Sequence, residues 1–158
     1  MSERCSVCKA GELQAATVER RREFGGRVYR GQVEGWRCDQ CDAVLIDDEA
    51  LEGFDVALGQ ALAQGEPNGK AFAFIRKQLD LRGVDVAALL NVSMETVSRW
   101  ETEARPVDWM AFALIGQMLL ERHKGLSTTR DHLTALKAAR GQAVGDVDLA
   151  FTGLCHIG

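Results

Sequence analysis

The sequence predicts an α+β fold: a small β-hairpin unit carrying one helix, followed in series by an all-α unit. Three observations carry this expectation. Two Cys-x-x-Cys pairs, CSVC at 5–8 and CDQC at 38–41, bracket a stretch that turns back on itself at Gly25-Gly26. From residue 47 onward apolar residues recur at helical spacing. Between the two regions lies QGEPNG, residues 64–69, a helix-breaking run read as a linker. The expected units are residues 1–63, a linker at 64–69, a helical domain at 70–140, and a loose tail at 141–158.

In the first unit, residues 12–24 form one arm, Gly25-Gly26 a turn tolerant of positive φ, and Arg27–Arg37 the return arm. Gly31 is expected to mark a bulge. Four thiolates at the base of this hairpin complete a tetrahedral shell, so Cys5, Cys8, Cys38 and Cys41 are the expected ligands of one structural Zn2+. Such a shell leaves no open position for a reacting water, and no catalytic residue is assigned. A thiol-disulfide enzyme is the competing reading, but it would place one such motif at a strand-to-helix junction. Cys155, beside His156, is read as a free tail thiol. After CDQC, Asp47 is the expected N-cap of a helix with Asp48 and Glu49 in its first turn. Its stripe of Leu51, Phe54, Leu58 and Leu62 is expected to lie against the hairpin.

The helical unit opens with AFAFIRKQLDL, with Phe72, Ile75 and Leu79 inward. Val84–Leu90 makes a second short helix, and Ser93 caps a third that runs through Trp100. Ala87 is small where two helices approach, and Asn91 occupies a sharp turn that needs a left-handed residue. Val92, Val97 and Trp100 fill the angle. These positions match a helix-turn-helix of the XRE or lambda-repressor type, whose second helix enters the DNA major groove. Ser93, Met94, Glu95, Thr96, Ser98 and Arg99 are the candidate DNA contacts on that helix. Arg99 can bond a guanine bidentately, and Glu95 can accept from a cytosine amino group. Arg76, Lys77, Arg82 and Arg105 are the candidate phosphate contacts. The chain is acidic, with 23 Asp and Glu against 19 Lys and Arg. Binding would therefore rest on a few placed cations, with a shallow salt dependence.

Beyond this, WMAFALIGQMLLERH offers Trp109, Phe112, Ile115, Met118 and Leu119 as core or dimer contact. STTRDHLTALKAAR adds an amphipathic helix capped at Ser127 or Thr128. His123, His132 and His156 lack ligand spacing and are read as surface residues. MSERCSVCKAG has no apolar core of a secretory signal, and no apolar run is long enough to span a bilayer. The expectation is a soluble cytoplasmic protein, associated with the nucleoid, with no membrane partner.

CSVCKAGEL, the GG-turned hairpin, GWRCDQC and the helical run ending in SRWE together resemble the MqsA-type antitoxins and the wider group of YgiT-type zinc-finger and helix-turn-helix regulators. The resemblance covers residues 5 to about 120. It implies a homodimer that binds a palindromic double-stranded operator and represses its own operon. In toxin-linked members it also implies neutralisation of a small RNase toxin. It carries the base-reading arginine onto Arg99 and a base-reading asparagine onto Glu95. The departures are that glutamate, Gly83 in place of a phosphate-binding glutamine, and the extra length at 125–158. A free-standing regulator without a toxin, and a zinc-ribbon adaptor that binds only protein, remain open as alternatives.

Overall fold

A computed structural model describes residues 4–141 of the chain. Among the described residues the fold is α+β, with a three-stranded antiparallel sheet of order β1-β2-β3 and six helices. Strands β1 (Leu13–Phe24) and β2 (Arg27–Cys38) form the hairpin, and β3 (Val44–Ile46) adds to the outer edge of β2. Helices follow as α1 (Asp48–Ala63), α2 (Gly69–Gln78), α3 (Gly83–Leu90), α4 (Met94–Glu101), α5 (Trp109–Arg122) and α6 (Thr128–Ala139).

Gly25 (φ 56°) and Gly26 (φ 76°) both adopt positive φ, the two-residue turn that matches strand twist. Pairing then runs one to one from Phe24↔Arg27 to Leu13↔Cys38. The bulge expected at Gly31 is therefore absent. Gly31 serves a different need, because a Cβ there would lie 2.9 Å from the Phe54 ring. The missing side chain lets α1 settle onto the hairpin.

The stripe of α1 divides between two neighbours. Phe54 meets the sheet, whereas Leu58 and Leu62 are buried in a cluster with Phe72, Ile75, Ile115 and Leu119. Phe24, at the end of β1, joins the same cluster and packs edge-on against Phe74 of α2 at 5.5 Å between centroids. Residues 64–69 thus connect α1 to α2 without dividing the apolar interior, and the two separate cores expected on either side are one. Close approach of α1 to α5 depends on Gly116, where a Cβ would lie 3.1 Å from the Ala63 carbonyl oxygen. Asn68 caps α2 by accepting from the Ala71 N–H at 2.8 Å.

Phe72, Ile75 and Leu79 point inward as the spacing indicates. Asn91 holds the left-handed conformation (φ 55°, ψ 44°) between α3 and α4, and the Ser93 hydroxyl caps α4 by accepting from the Thr96 N–H at 3.1 Å. Val97 and Trp100 are buried, Trp100 stacking edge-on against Phe72 at 5.5 Å.

The start of α6 differs from expectation. Ser127 stands at the N-cap without a side-chain cap bond. Glu121 of α5 supplies it instead, accepting from the Thr129 N–H at 2.8 Å and from its hydroxyl at 2.7 Å. Those bonds, with a third from Gln117, hold the buried Glu121 carboxyl below its usual range. His123 is half-buried rather than at the surface, and its Nε2 lacks a hydrogen-bond partner. His132 is exposed. Cys155, His156 and the tail from 142 onward lie outside the described residues. Among the described residues no helix is long and apolar enough to cross a membrane.

Candidate functional site

At the open end of the hairpin the strand register dictates a four-sulfur cluster. Leu13 pairs with Cys38, so the chain before β1 and the chain after β2 leave the sheet side by side. Each Cys-x-x-Cys turn then closes through a backbone bond, Lys9 N–H to Cys5 O at 2.9 Å in the first, and Cys38 N–H to Ala43 O at 2.9 Å in the second. The residue after the second cysteine of each turn, Lys9 (φ 59°) or Asp42 (φ 55°), sits in the left-handed region. Non-glycine residues adopt it at a cost that surrounding structure must offset. Gly11 has no such choice, because a Cβ there would collide with Cys38 Sγ and Asp39. Asp39 ties the turns together by accepting from the Glu12 N–H at 2.9 Å.

The four sulfurs lie within 4.8 Å of one another. The closest pairs run across the turns, Cys5 to Cys41 and Cys8 to Cys38, at 3.7 Å each. All four are free thiols. Four zinc–sulfur bonds of about 2.3 Å at tetrahedral angles place sulfurs roughly 3.8 Å apart, so the spacing suits an ion at the centre. Hydrogen bonds from the Gly11 N–H to Cys8 (3.3 Å) and from the Gln40 N–H to Cys38 (3.4 Å) delocalise thiolate charge. Electrostatics point the same way. Backbone N–H groups of Gly11 and Ala10 lower the Cys8 thiol to about 6, and the Cys8 N–H lowers Cys5. The Ala43 N–H favours the Cys41 thiolate, but desolvation and the neighbouring sulfurs outweigh it and push that thiol up to about 12. Sulfurs this close ionise together only around a cation. These four residues are positioned to hold a metal ion.

The second group of sequence-derived residues separates into distinct environments. On α4, Met94, Glu95, Ser98 and Arg99 are exposed on one side, opposite buried Val97 and Trp100. Arg99 donates to Glu95 one turn earlier at 2.6 Å, with both side chains more than half exposed. Ser93 and Thr96 are occupied in capping, their hydroxyls 2.9 Å apart. Met94 lies over Gly83, where a Cβ would come within 2.5 Å of its methyl carbon. A larger side chain at 83 would have to displace Met94.

Arg82 is exposed at the start of α3 and pairs with Asp85 through two 3.0 Å bonds. The Arg82 side chain and N–H hold the Asp85 carboxyl down at about 2. Arg105 is exposed in the turn after α4 and lines a groove with Thr96, Trp100 and Met110. Lys77 is exposed on α2. Arg76 is elsewhere altogether: it forks onto Glu101 at 2.5 and 3.1 Å and donates to the Leu81 carbonyl at 2.8 Å. With only 14% of its side chain exposed, it ties α2 to the end of α4 and is no free phosphate contact. Glu101, Glu121 and Asp39 are structural partners that spacing alone did not single out.

Of the apolar residues on α5, Phe112, Ile115, Met118 and Leu119 are buried, while Trp109 and Met110 in its first turn are each 69% exposed. Comparison of the chain with protein-family models, with curated proteins and with solved structures gives no match.

Proposed function

We propose that the protein is a zinc-stabilised, sequence-specific DNA-binding regulator in which α3 and α4 act as a helix-turn-helix and α4 reads the major groove. One observation carries this reading. An eight-residue helix is locked in place by its cap, Val97 and Trp100, yet it exposes Met94, Glu95, Ser98 and Arg99, and among the described residues the charged pair Glu95 and Arg99 bond only to each other. A bidentate arginine beside a carboxylate is a base-reading set, and the exposed Glu95–Arg99 pair is weak enough to exchange for base edges. Arg82 and Arg105 flank this helix as phosphate contacts.

Zinc is the metal the donor set favours, since four soft thiolates in tetrahedral array select it over harder cations. Its role is structural, because a closed four-sulfur shell admits no substrate. Trp109 and Met110 supply an apolar patch for a homodimer, and two-fold symmetry would double the short site that one helix can read. Autorepression and a toxin partner are carried by the resemblance to MqsA-type antitoxins alone; a free-standing regulator would keep every feature above.

The test is selection from a randomised duplex pool by the zinc-loaded protein. Enrichment of a palindrome with half-sites about one DNA turn apart supports the reading. Recovery of an unenriched pool would oppose it, leaving a zinc-ribbon adaptor that binds protein.

A further inference from the structure

We propose that the groove between the end of the hairpin and α2 is a second nucleic-acid site, a seat for the phosphodiester backbone formed by Arg22, Lys70 and Lys77. The groove encloses about 550 Å³, with Arg22 on one wall and the two lysines on the other. Among the described residues none of these three cations has a carboxylate within ion-pair distance. The acids that face the groove are Asp55 and Glu101, and Glu101 is already bonded to Arg76. Three cations therefore meet one uncommitted carboxylate. The Arg22 guanidinium lies 5.9 Å from the centroids of both Phe24 and Phe74. Both rings lie within cation–π range of this guanidinium, a group whose planar fork of N–H donors suits a phosphate.

The surrounding charge sharpens the point. Residues 20–30, RRREFGGRVYR, hold Arg20, Arg21, Arg22, Arg27 and Arg30 against Glu23 alone, a net of +4 in a chain whose total is −4, so the remainder carries −8. Arg21 and Arg30 pair directly across the strands, but strand alternation puts them on the face opposite Arg22, so the groove itself draws on Arg22 and the two lysines. In a molecule of net negative charge, a local excess of cations is where a polyanion is attracted. Lys70 and Lys77 stand seven residues apart on α2, so about 10 Å separates them along the helix. That span exceeds one phosphate and suits a chain of them. Glu101, the last residue of α4, also lines the groove, which places it alongside the helix proposed to read bases. The hairpin would then be part of the interface as well as the metal's scaffold.

This inference rests on the DNA-binding reading for the class of its ligand, but not on α4 being the reader. The test is binding of the full zinc-loaded chain to a random-sequence duplex and to the duplex enriched from the pool, across a salt series. Lys70→Gln, Lys77→Gln and Arg22→Gln should each weaken both complexes about fivefold near ~0.15 M salt and lower the salt slope by about 1. The enriched sequence should not change. Asp55→Asn, which removes the opposing acid, should tighten both complexes. The two lysines make no contact that the fold needs, so they decide the matter even if Arg22→Gln melts early. Parent-like slopes and affinities in the lysine variants would overturn the groove while leaving base reading by α4 intact. A parent without sequence preference, whose slope still falls in the lysine variants, would overturn α4 and leave the groove standing.

Discussion

Replacing Arg76 with methionine isolates a tie that looks like a DNA contact in the sequence and is a strut in the fold. The guanidinium makes two bonds to Glu101 and one to the Leu81 carbonyl, and the two charged side chains are 14% and 20% exposed. Methionine keeps most of the stem but strands a carboxylate and a carbonyl where water reaches poorly. Breaking a fully buried pair costs about 3–5 kcal/mol; the remaining exposure lowers the expectation to about 2–3 kcal/mol. Removing the stranded carboxylate as well, in Arg76→Met with Glu101→Leu, should recover at least about 1 kcal/mol of that loss. Urea unfolding of the zinc-loaded protein, followed by tryptophan fluorescence, measures both variants against the parent; buried Trp100 lies beside Glu101. The reasoning fails if Arg76→Met is as stable as the parent while DNA affinity falls, because Arg76 would then be the phosphate contact its sequence position suggests.

Three further outcomes follow from named contacts. Gly31→Ala pushes a methyl into the Phe54 ring, 2.9 Å away, and should lower the urea midpoint by an amount equivalent to about 1–3 kcal/mol. Glu121 has a depressed folded pKa, so its stabilisation is present above the ordinary carboxylate range and lost as pH falls through the folded value. The stability gap between the parent and Glu121→Gln should thus narrow on acidification; a gap that widens would contradict the cap assigned to α6. Chelation of the metal should expose amides at 5–12 and 38–43 to hydrogen exchange first. Amides near Tyr29 should stay protected, because Phe24 and Tyr29 pack on the helical core far along the strands from the cysteines. Simultaneous exchange of both ends of the hairpin would show that the metal holds the whole unit.

What could be read in the chain was local. The cysteine pairs, the Gly25-Gly26 turn, the Ser93 cap and the left-handed Asn91 each depend on a few consecutive residues, and spacing fixes them. What escaped was long-range. The partner of Arg76 lies twenty-five positions away, so a helix-borne arginine gave no sign of being occupied. The stripe on α1 could not reveal that Phe54 faces the sheet while Leu58 and Leu62 face α5, and a shared core was therefore read as two. Gly31 looked like a bulge because a missing side chain has the same signature whether the backbone bends or a neighbour fills the space. β3 is three residues long, too short for alternation to separate it from a loop. Charge counted over the whole chain likewise averaged away the arginines that the hairpin gathers near its tip.

The measurement closest to the central claim is the base preference of α4 variants. Arg99→Ala should cost roughly 1–3 kcal/mol per half-site and relax selection at one base pair, because a bidentate contact to guanine is lost. Glu95→Gln should keep or raise total affinity and move the preference towards adenine, which glutamine can pair with. Both side chains are exposed and their mutual bond is a surface one, so thermal stability should barely move. Binding of each variant to a randomised pool, read by sequencing, gives the answer. Altered preferences confined to one or two adjacent base pairs in each half-site are the expected result; two variants that enrich the same sites as the parent would show that α4 is not the reading helix.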